Sequence, residues 1–267
     1  MTVAIIGAGV MGETLLSGLV RGGHDPRTIS VGEKRIERAE ELRRTYDVQV
    51  FDRLEAVAGA DTIALVVKPQ DMGEVLAEIA PHVTPGQLVI SLAAGITTAY
   101  LERHLPDGVA VVRVMPNTPA LVDEGMAAIS GGTHCTPEHL ALAEQMLSVT
   151  GRVLRVPEKQ QDAVTAISGS GPAYLFFVVE AMIEAGVHLG LPRSTATELV
   201  VQTVVGSAKL LRETGTHPTV LREQVTSPGG TTAAAIRQLE DHKVRAAFIT
   251  AMEAARDRSV SLAASDD

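Results

Sequence analysis

Through about residue 155 the chain alternates short β-rich runs with amphipathic stretches of helical length, a rhythm that few folds accept. The runs are "VAIIG", "ISVG", "VQVF", "TIALVV", "QLVISL" and "VAVVRV". Strands separated by helices join as βαβ units. The parallel sheet they build is covered on both faces, so its strands are apolar throughout instead of alternating. A doubly wound α/β domain is expected. Two later runs, "MAAIS" and "RVLRV", flank the helical "PEHLALAEQMLSV" and extend the sheet at its edge.

From about residue 159 the β-rich runs stop, and four or five helical segments follow with apolar positions at helical spacing. This places a dinucleotide-binding domain at 1–157 and an all-helical domain at 158–267. The segment "AYLFFVVEAMIEAGVHLG" is interrupted by Glu180 and Glu184 before it reaches membrane-spanning length, so it reads as a buried helix and no membrane partner is expected. "ATELVVQTVVGSAKLL" is apolar around much of its circumference. A domain of about 100 residues has few internal neighbours for such a helix, which points to a homodimer formed through this half.

The formal net charge of −9, without long runs of like charge, argues against a nucleic-acid partner. Cys135 is the only cysteine, and "GGTHCTPEH" reads as a loop thiol without a matched base. With no export signal in the opening "MTVAIIGAG", a cytoplasmic location is expected. The 8 histidines show no metal-ligand spacing, so no metal is expected.

After the first β-rich run, "GAGVMG" places Gly7, Gly9 and Gly12 in G-x-G-x-x-G spacing at the head of a helix. In that pattern the first glycine permits a tight turn, the second lets a pyrophosphate approach, and the third allows close helix packing. Ala8, Val10 and Met11 belong to the same cofactor-binding segment, whose helix N-terminus receives the anion. Glu33 lies roughly 20 residues beyond Gly12, where an acid holds the ribose diol of NAD. Lys34 and Arg35 follow, and either suits the 2′-phosphate of NADP or simply begins a solvated helix. Val67, Lys68 and Pro69 in "LVVKPQ", and Ala93, Ala94 and Gly95 in "SLAAGIT", sit at the carboxyl ends of strands, where an open parallel sheet keeps its ligand crevice. Lys68 reads equally as a cofactor contact or a structural cap. Asn117 in "MPNTP" reads either as a residue holding the loop near a nicotinamide or as part of a local turn.

These segments, with "RVMPNTPALVDEGMAAI", "DAVTAISGSGPAYLF", "AGVHLGLPR" and "VTSPGGTTAAAI", resemble the Δ1-pyrroline-5-carboxylate reductase family in order from residue 7 to residue 236. The glycine motif is shared by many dehydrogenases, whereas "SGSGPAY" combined with "SPGGTT" is specific. The resemblance implies reduction of a cyclic imine to L-proline by NADPH, with NADH also possible. It also implies a Rossmann domain followed by a helical dimerisation domain, with rings of dimers in some members.

Such a reaction needs donors for the substrate carboxylate and a hydroxyl or acid near the ring nitrogen. In "SPGGTT", Ser227 is expected as N-cap and Pro228 as the first helical residue. Gly229 and Gly230 would then leave first-turn N–H groups open to a carboxylate. The resemblance implies that Thr232, following Thr231, hydrogen-bonds the reacting nitrogen; the alternative is that both threonines only cap the helix. It also carries Glu158 onto a substrate-contacting position, against an exposed helix-start glutamate, and Gln224 onto a cofactor contact. "SGSGPAY" itself reads as a kink between two helices, with Pro172 starting the second. Two other readings remain: a β-hydroxyacid dehydrogenase, which would place a lysine in "AISGSGPAYLFFVVEAMIEAG" where none occurs, and a non-catalytic dinucleotide-binding protein.

Overall fold

A computed structural model describes residues 1–264. Eight strands form one sheet in the order β3-β2-β1-β4-β5-β6-β7-β8. They are β1 (Val3–Ile6), β2 (Ile29–Gly32), β3 (Gln49–Phe51), β4 (Thr62–Leu65), β5 (Leu88–Ser91), β6 (Ala110–Met115), β7 (Gly125–Gly131) and β8 (Gly151–Arg155). The first six run parallel, and their order is that of a doubly wound dinucleotide-binding sheet. β7 pairs antiparallel with β6, and β8 pairs parallel with β7, so the two later runs do extend the edge.

The crossovers are α1 (Val10–Arg21), α2 (Ile36–Tyr46), α3 (Arg53–Val57), α4 (Met72–Ile79) and α5 (Thr98–His104), and α6 (Pro137–Leu147) joins β7 to β8. Side chains of β1 alternate between two cores. Val3 and Ile5 pack with Leu15, Leu16 and Leu19 of α1, while Ala4 and Ile6 pack with Met72, Leu76 and Ile79 of α4. Both sets are essentially inaccessible, which explains why "VAII" has no polar position. At about 1.5–3 kcal/mol for each large apolar side chain buried, these two layers dominate the stability of this half.

The helical part comprises α7 (Gln161–Val164), α8 (Gly171–His188), α9 (Arg193–Thr214), α10 (Pro218–Gln224), α11 (Thr231–Asp241) and α12 (Val244–Ala264). By compactness the described residues divide into 1–170 with 255–264, and 171–254. Between α7 and α8, Thr165–Gly169 forms a π-helical turn in which Ser170 N donates to Thr165 O. The expected kink at "SGSGPAY" is therefore a wide turn inside a continuing helix.

Within residues 171–254, α8 packs on α9, and a Cβ at Gly186 would stand 2.9 Å from that of Ala196. The expectation of a buried α8 is not met within one chain. No residue of α8 is buried, and Leu175, Phe176 and Phe177 are 57%, 67% and 73% exposed. Of α9 only Ala196 and Val200 are buried. Residues 158–188 are long and apolar enough to cross a membrane by length and composition alone.

Candidate active site

The parallel ladder brings the ends of β2, β1, β4 and β5 to one edge, and hydrogen bonds continue the pairing past the strands. Gly7 N donates to Gly32 O at 3.2 Å, Val66 N to Ile6 O at 2.8 Å, and Leu92 N to Leu65 O at 2.9 Å. Loops 7–9, 33–35, 67–69 and 93–95 thus share the carboxyl edge, on both sides of the point where strand order reverses between β1 and β4.

The three glycines of the first loop have different tasks. Gly7 lies at φ +102°, and a Cβ there would stand 2.5 Å from Val66 O; a Cβ on Gly12 would stand 2.0 Å from Gly7 O. Both are required by the protein's own packing. A Cβ on Gly9 would meet nothing within 4 Å. Gly9 is also the N-cap of α1, without a side-chain cap, so the helix start is open to a group approaching from outside the chain. These residues fit a dinucleotide pyrophosphate. Ala8 is buried while Gly9 and Val10 are exposed, and Met11 packs against the core.

At the end of β2, Glu33 is chelated by Arg35. Oε1 accepts the Arg35 backbone N–H at 2.9 Å and its Nε–H at 3.0 Å, and Oε2 accepts from Nη2 at 3.0 Å. Burial pushes the Glu33 carboxyl up, but the hydrogen bonds and charge of Arg35, with the charge of Arg38, outweigh it and hold Glu33 below the ordinary glutamate range. Lys34 is directed instead to Glu78 at 3.2 Å, which Arg53 also contacts at 2.7 Å. Arg38, which sequence reasoning passed over, donates to Ala8 O at 3.3 Å and pairs with Glu13 and Glu41, tying α2 to the glycine loop.

Val67 packs on the second core, Lys68 is exposed and makes no capping bond, and Pro69 opens a short 3-10 turn. Ala93 is buried, Ala94 exposed, and Gly95 stands at φ +83°. Asn117 accepts from Met126 N at 2.8 Å and donates to Ser168 O at 3.1 Å, so its amide pins the β6–β7 connection to the π-helical turn.

Glu158 lies within the same unit. Its Oε1 accepts Thr98 N–H at 2.7 Å, its Oε2 accepts the Thr98 hydroxyl, and Arg113 Nη1 stands 3.4 Å from Oε1. Arg113, on β6, is only 5% exposed and also faces Asp162 at 3.8 Å. Asp162 in turn accepts from Ser259 Oγ at 2.7 Å. The arginine inside the apolar run "VAVVRV" was the available signal for this buried network. Cys135 Sγ donates to Val111 O at 2.8 Å, and burial pushes its thiol up, which suits a structural residue.

In the helical unit, the expected helix start at Ser227 and Pro228 is corrected. Gly230 N donates to Ser227 O at 3.0 Å, and Gly229 stands at φ +69°, so Ser-Pro-Gly-Gly is a turn with proline and then a left-handed glycine at its centre. The N-cap of α11 is Gly230, without a side-chain cap. Thr231 and Thr232 occupy the first turn, whose N–H groups no side chain covers, and Thr232 is half-buried. By contrast, α5 and α6 are capped by Thr97 and Thr136. Thus α1 and α11 both begin on a bare glycine. Gln224 ends α10 and is exposed. No cluster of three or more metal-ligating side chains occurs among the described residues.

Residues 158–262 match the family described as pyrroline-5-carboxylate reductase dimerisation, and residues 2–95 the one described as NADP oxidoreductase, coenzyme F420-dependent. A pyrroline-5-carboxylate reductase of Corynebacterium melassecola is 47% identical over 265 residues, covering 98% of each chain. Among solved structures, the reductase of Coxiella burnetii is 37% identical with a TM-score of 0.93, and that of Plasmodium falciparum with NADP bound is 28% identical with a TM-score of 0.88; each match covers 98% of both chains. With nearly half its residues identical across the full length of one such enzyme, the chain belongs to the pyrroline-5-carboxylate reductase family.

Proposed function

We propose that this protein reduces Δ1-pyrroline-5-carboxylate to L-proline, acting as a homodimer through its helical unit, with rings of dimers as the larger form, in the cytoplasm. The observation that carries the reading is the bare-glycine start of α11, with Thr232 in its first turn, in a chain of this family. NADPH, when bound, supplies the hydride, and NADH is the alternative donor. The glycine loop and the α1 N-terminus hold the pyrophosphate, while loops 67–69 and 93–95 with Asn117 line the nicotinamide end.

At α11, the first-turn N–H groups receive the substrate carboxylate, each charge-assisted bond worth about 1.5–3 kcal/mol. Gly229 and Gly230 let that carboxylate come close. The Thr232 hydroxyl hydrogen-bonds the ring nitrogen, orienting the imine carbon while a proton from the substrate iminium or water balances the reduction. Gln224 contributes to the cofactor side. Glu158 is the substrate-contacting acid of this reading: Thr98 holds both of its oxygens, and each keeps a lone pair for a ligand.

The dimer reading is supported by the exposed Leu175, Phe176 and Phe177 of α8 and Leu199 and Val205 of α9, apolar side chains that a second copy would remove from water. Oxidation of NADPH and NADH in the presence of Δ1-pyrroline-5-carboxylate tests the activity. Turnover with at least one is expected, and none with either overturns the reading.

A further inference from the structure

Arg113 stands in register with Ser91 of β5 on one side and Ser130 of β7 on the other, so the three side chains share one face of the sheet. All three are buried, and the neighbours of Arg113 along β6, Val111, Val112 and Val114, are apolar. Folding alone would be served as well by an aliphatic side chain here, because desolvating a guanidinium offsets much of what its ion pairs gain. What the polar stripe holds is the loop after β5, at both of its ends. At the near end Ser91 Oγ accepts Ala93 N–H at 3.4 Å. At the far end Thr97 caps α5 by accepting Tyr100 N–H at 3.0 Å, which leaves Thr98 N–H for Glu158, and Glu158 in turn rests on Arg113. Asp162, 3.8 Å from Nη2 and itself bonded to Ser259, braces the other side of the guanidinium.

We infer that Arg113 is a positioning residue for hydride transfer. Through Glu158 and Thr98 it sets residues 93–97, the loop at the nicotinamide end, and by the same contact it fixes Glu158, the acid on the substrate side. One buried cation thus aligns the supports of the hydride donor and of its acceptor. A displacement of about 1 Å in either costs on the order of a hundredfold in rate, which gives the arginine a use that burial of a valine would not supply.

The inference rests on the reductase reading above, but two measurements on the full-length protein test it without the reaction. Hydrogen exchange follows the amides of residues 93–98, and titration calorimetry compares NADPH with 2′,5′-ADP, which lacks the nicotinamide. In Arg113→Met the loop amides are expected to exchange about tenfold faster or more while those of β1 and β4 stay within about twofold. NADPH should lose about fivefold in affinity relative to 2′,5′-ADP. Arg113→Lys, which keeps the cation, should fall between the parent and Arg113→Met in both readings. Thr98→Val leaves the guanidinium in place and removes only the hydroxyl link, and it should move both readings the same way, so the test stands even where Arg113→Met does not fold. Either reading within about twofold of the parent in Thr98→Val, or exchange that rises equally throughout the sheet, overturns the inference. If both readings move as expected while Δ1-pyrroline-5-carboxylate is not reduced, the hold of Arg113 on the nicotinamide loop stands and the reductase reading fails.

Discussion

Glu158 grips Thr98 twice, accepting its backbone N–H at 2.7 Å and its hydroxyl, at the first residue of α5. The carboxylate also stands beside the buried Arg113, so it joins a helix start, a central strand and the entry to the helical sequence. Glu158→Ala is expected to lower unfolding free energy by about 1–3 kcal/mol, because it leaves a first-turn donor and part of a buried guanidinium unsatisfied. Urea denaturation of both proteins checks this, and an unchanged midpoint would assign the contact no structural weight.

Gly9 and Gly12 separate ligand binding from folding. With Gly9 at φ −71° and ψ −174° and open space about its Cβ position, Gly9→Ala is expected to keep the parent's stability within about 0.5 kcal/mol. Its affinity for NADPH should nevertheless fall about tenfold or more, since the new methyl occupies the approach of the pyrophosphate. Gly12→Ala drives a Cβ against Gly7 O and should destabilise the fold itself. Thermal unfolding alongside NADPH titration distinguishes the two.

Thr232→Ala should lower kcat about ten- to hundredfold, the worth of one hydrogen bond to a charged nitrogen. Cofactor affinity should stay within about twofold, because the glycine loop is untouched. Steady-state kinetics with a separate NADPH titration reads both, and unchanged kcat removes Thr232 from the site.

Phe177 is 73% exposed in one chain, and the proposed dimer would cover it. Phe177→Glu puts a charge there and should shift the dimer towards monomer in sedimentation velocity at low micromolar protein. A dimer undiminished by the change would place the interface elsewhere.

Acid should loosen the β2 edge in a defined direction. Glu33 and Glu78 are both held below the ordinary glutamate value. For each, burial pushes the carboxyl up and is outweighed, for Glu33 by Arg35 and for Glu78 by Arg53 and Lys34. Groups depressed by folding contribute stability that is complete above the unfolded value, about 4.3, and is lost as pH falls through the lower folded value. Arg35→Ala should therefore flatten the decline of thermal stability below about pH 4.3, and an identical slope would show that the pair does not contribute.

Much of this architecture was legible in the residues because one physical cause dominates it. Runs such as "VAII" can be apolar at every position only between two layers, and "GAGVMG" after such a run marks the first crossover. Where two causes competed, the reading slipped. Pro228 and Gly229 suit a helix start by proline preference and a turn by the glycine's freedom at positive φ, and the turn prevailed, moving the start of α11 to Thr231. For α8, hydrophobicity announces that Phe176 and Phe177 need cover but not which chain provides it. Arg35 and Lys34 look interchangeable as letters, and only the positions of Glu33 and Glu78 separate them.

α8, α10 and α11 have no buried residue of their own and α9 has two, which gives assembly a thermodynamic meaning. Helices that leave much of their apolar surface for another copy to cover draw part of their stability from mass action, so protein concentration enters their folding equilibrium as a ligand's would. The melting temperature should climb with concentration, and dilution should act on this protein as a denaturant.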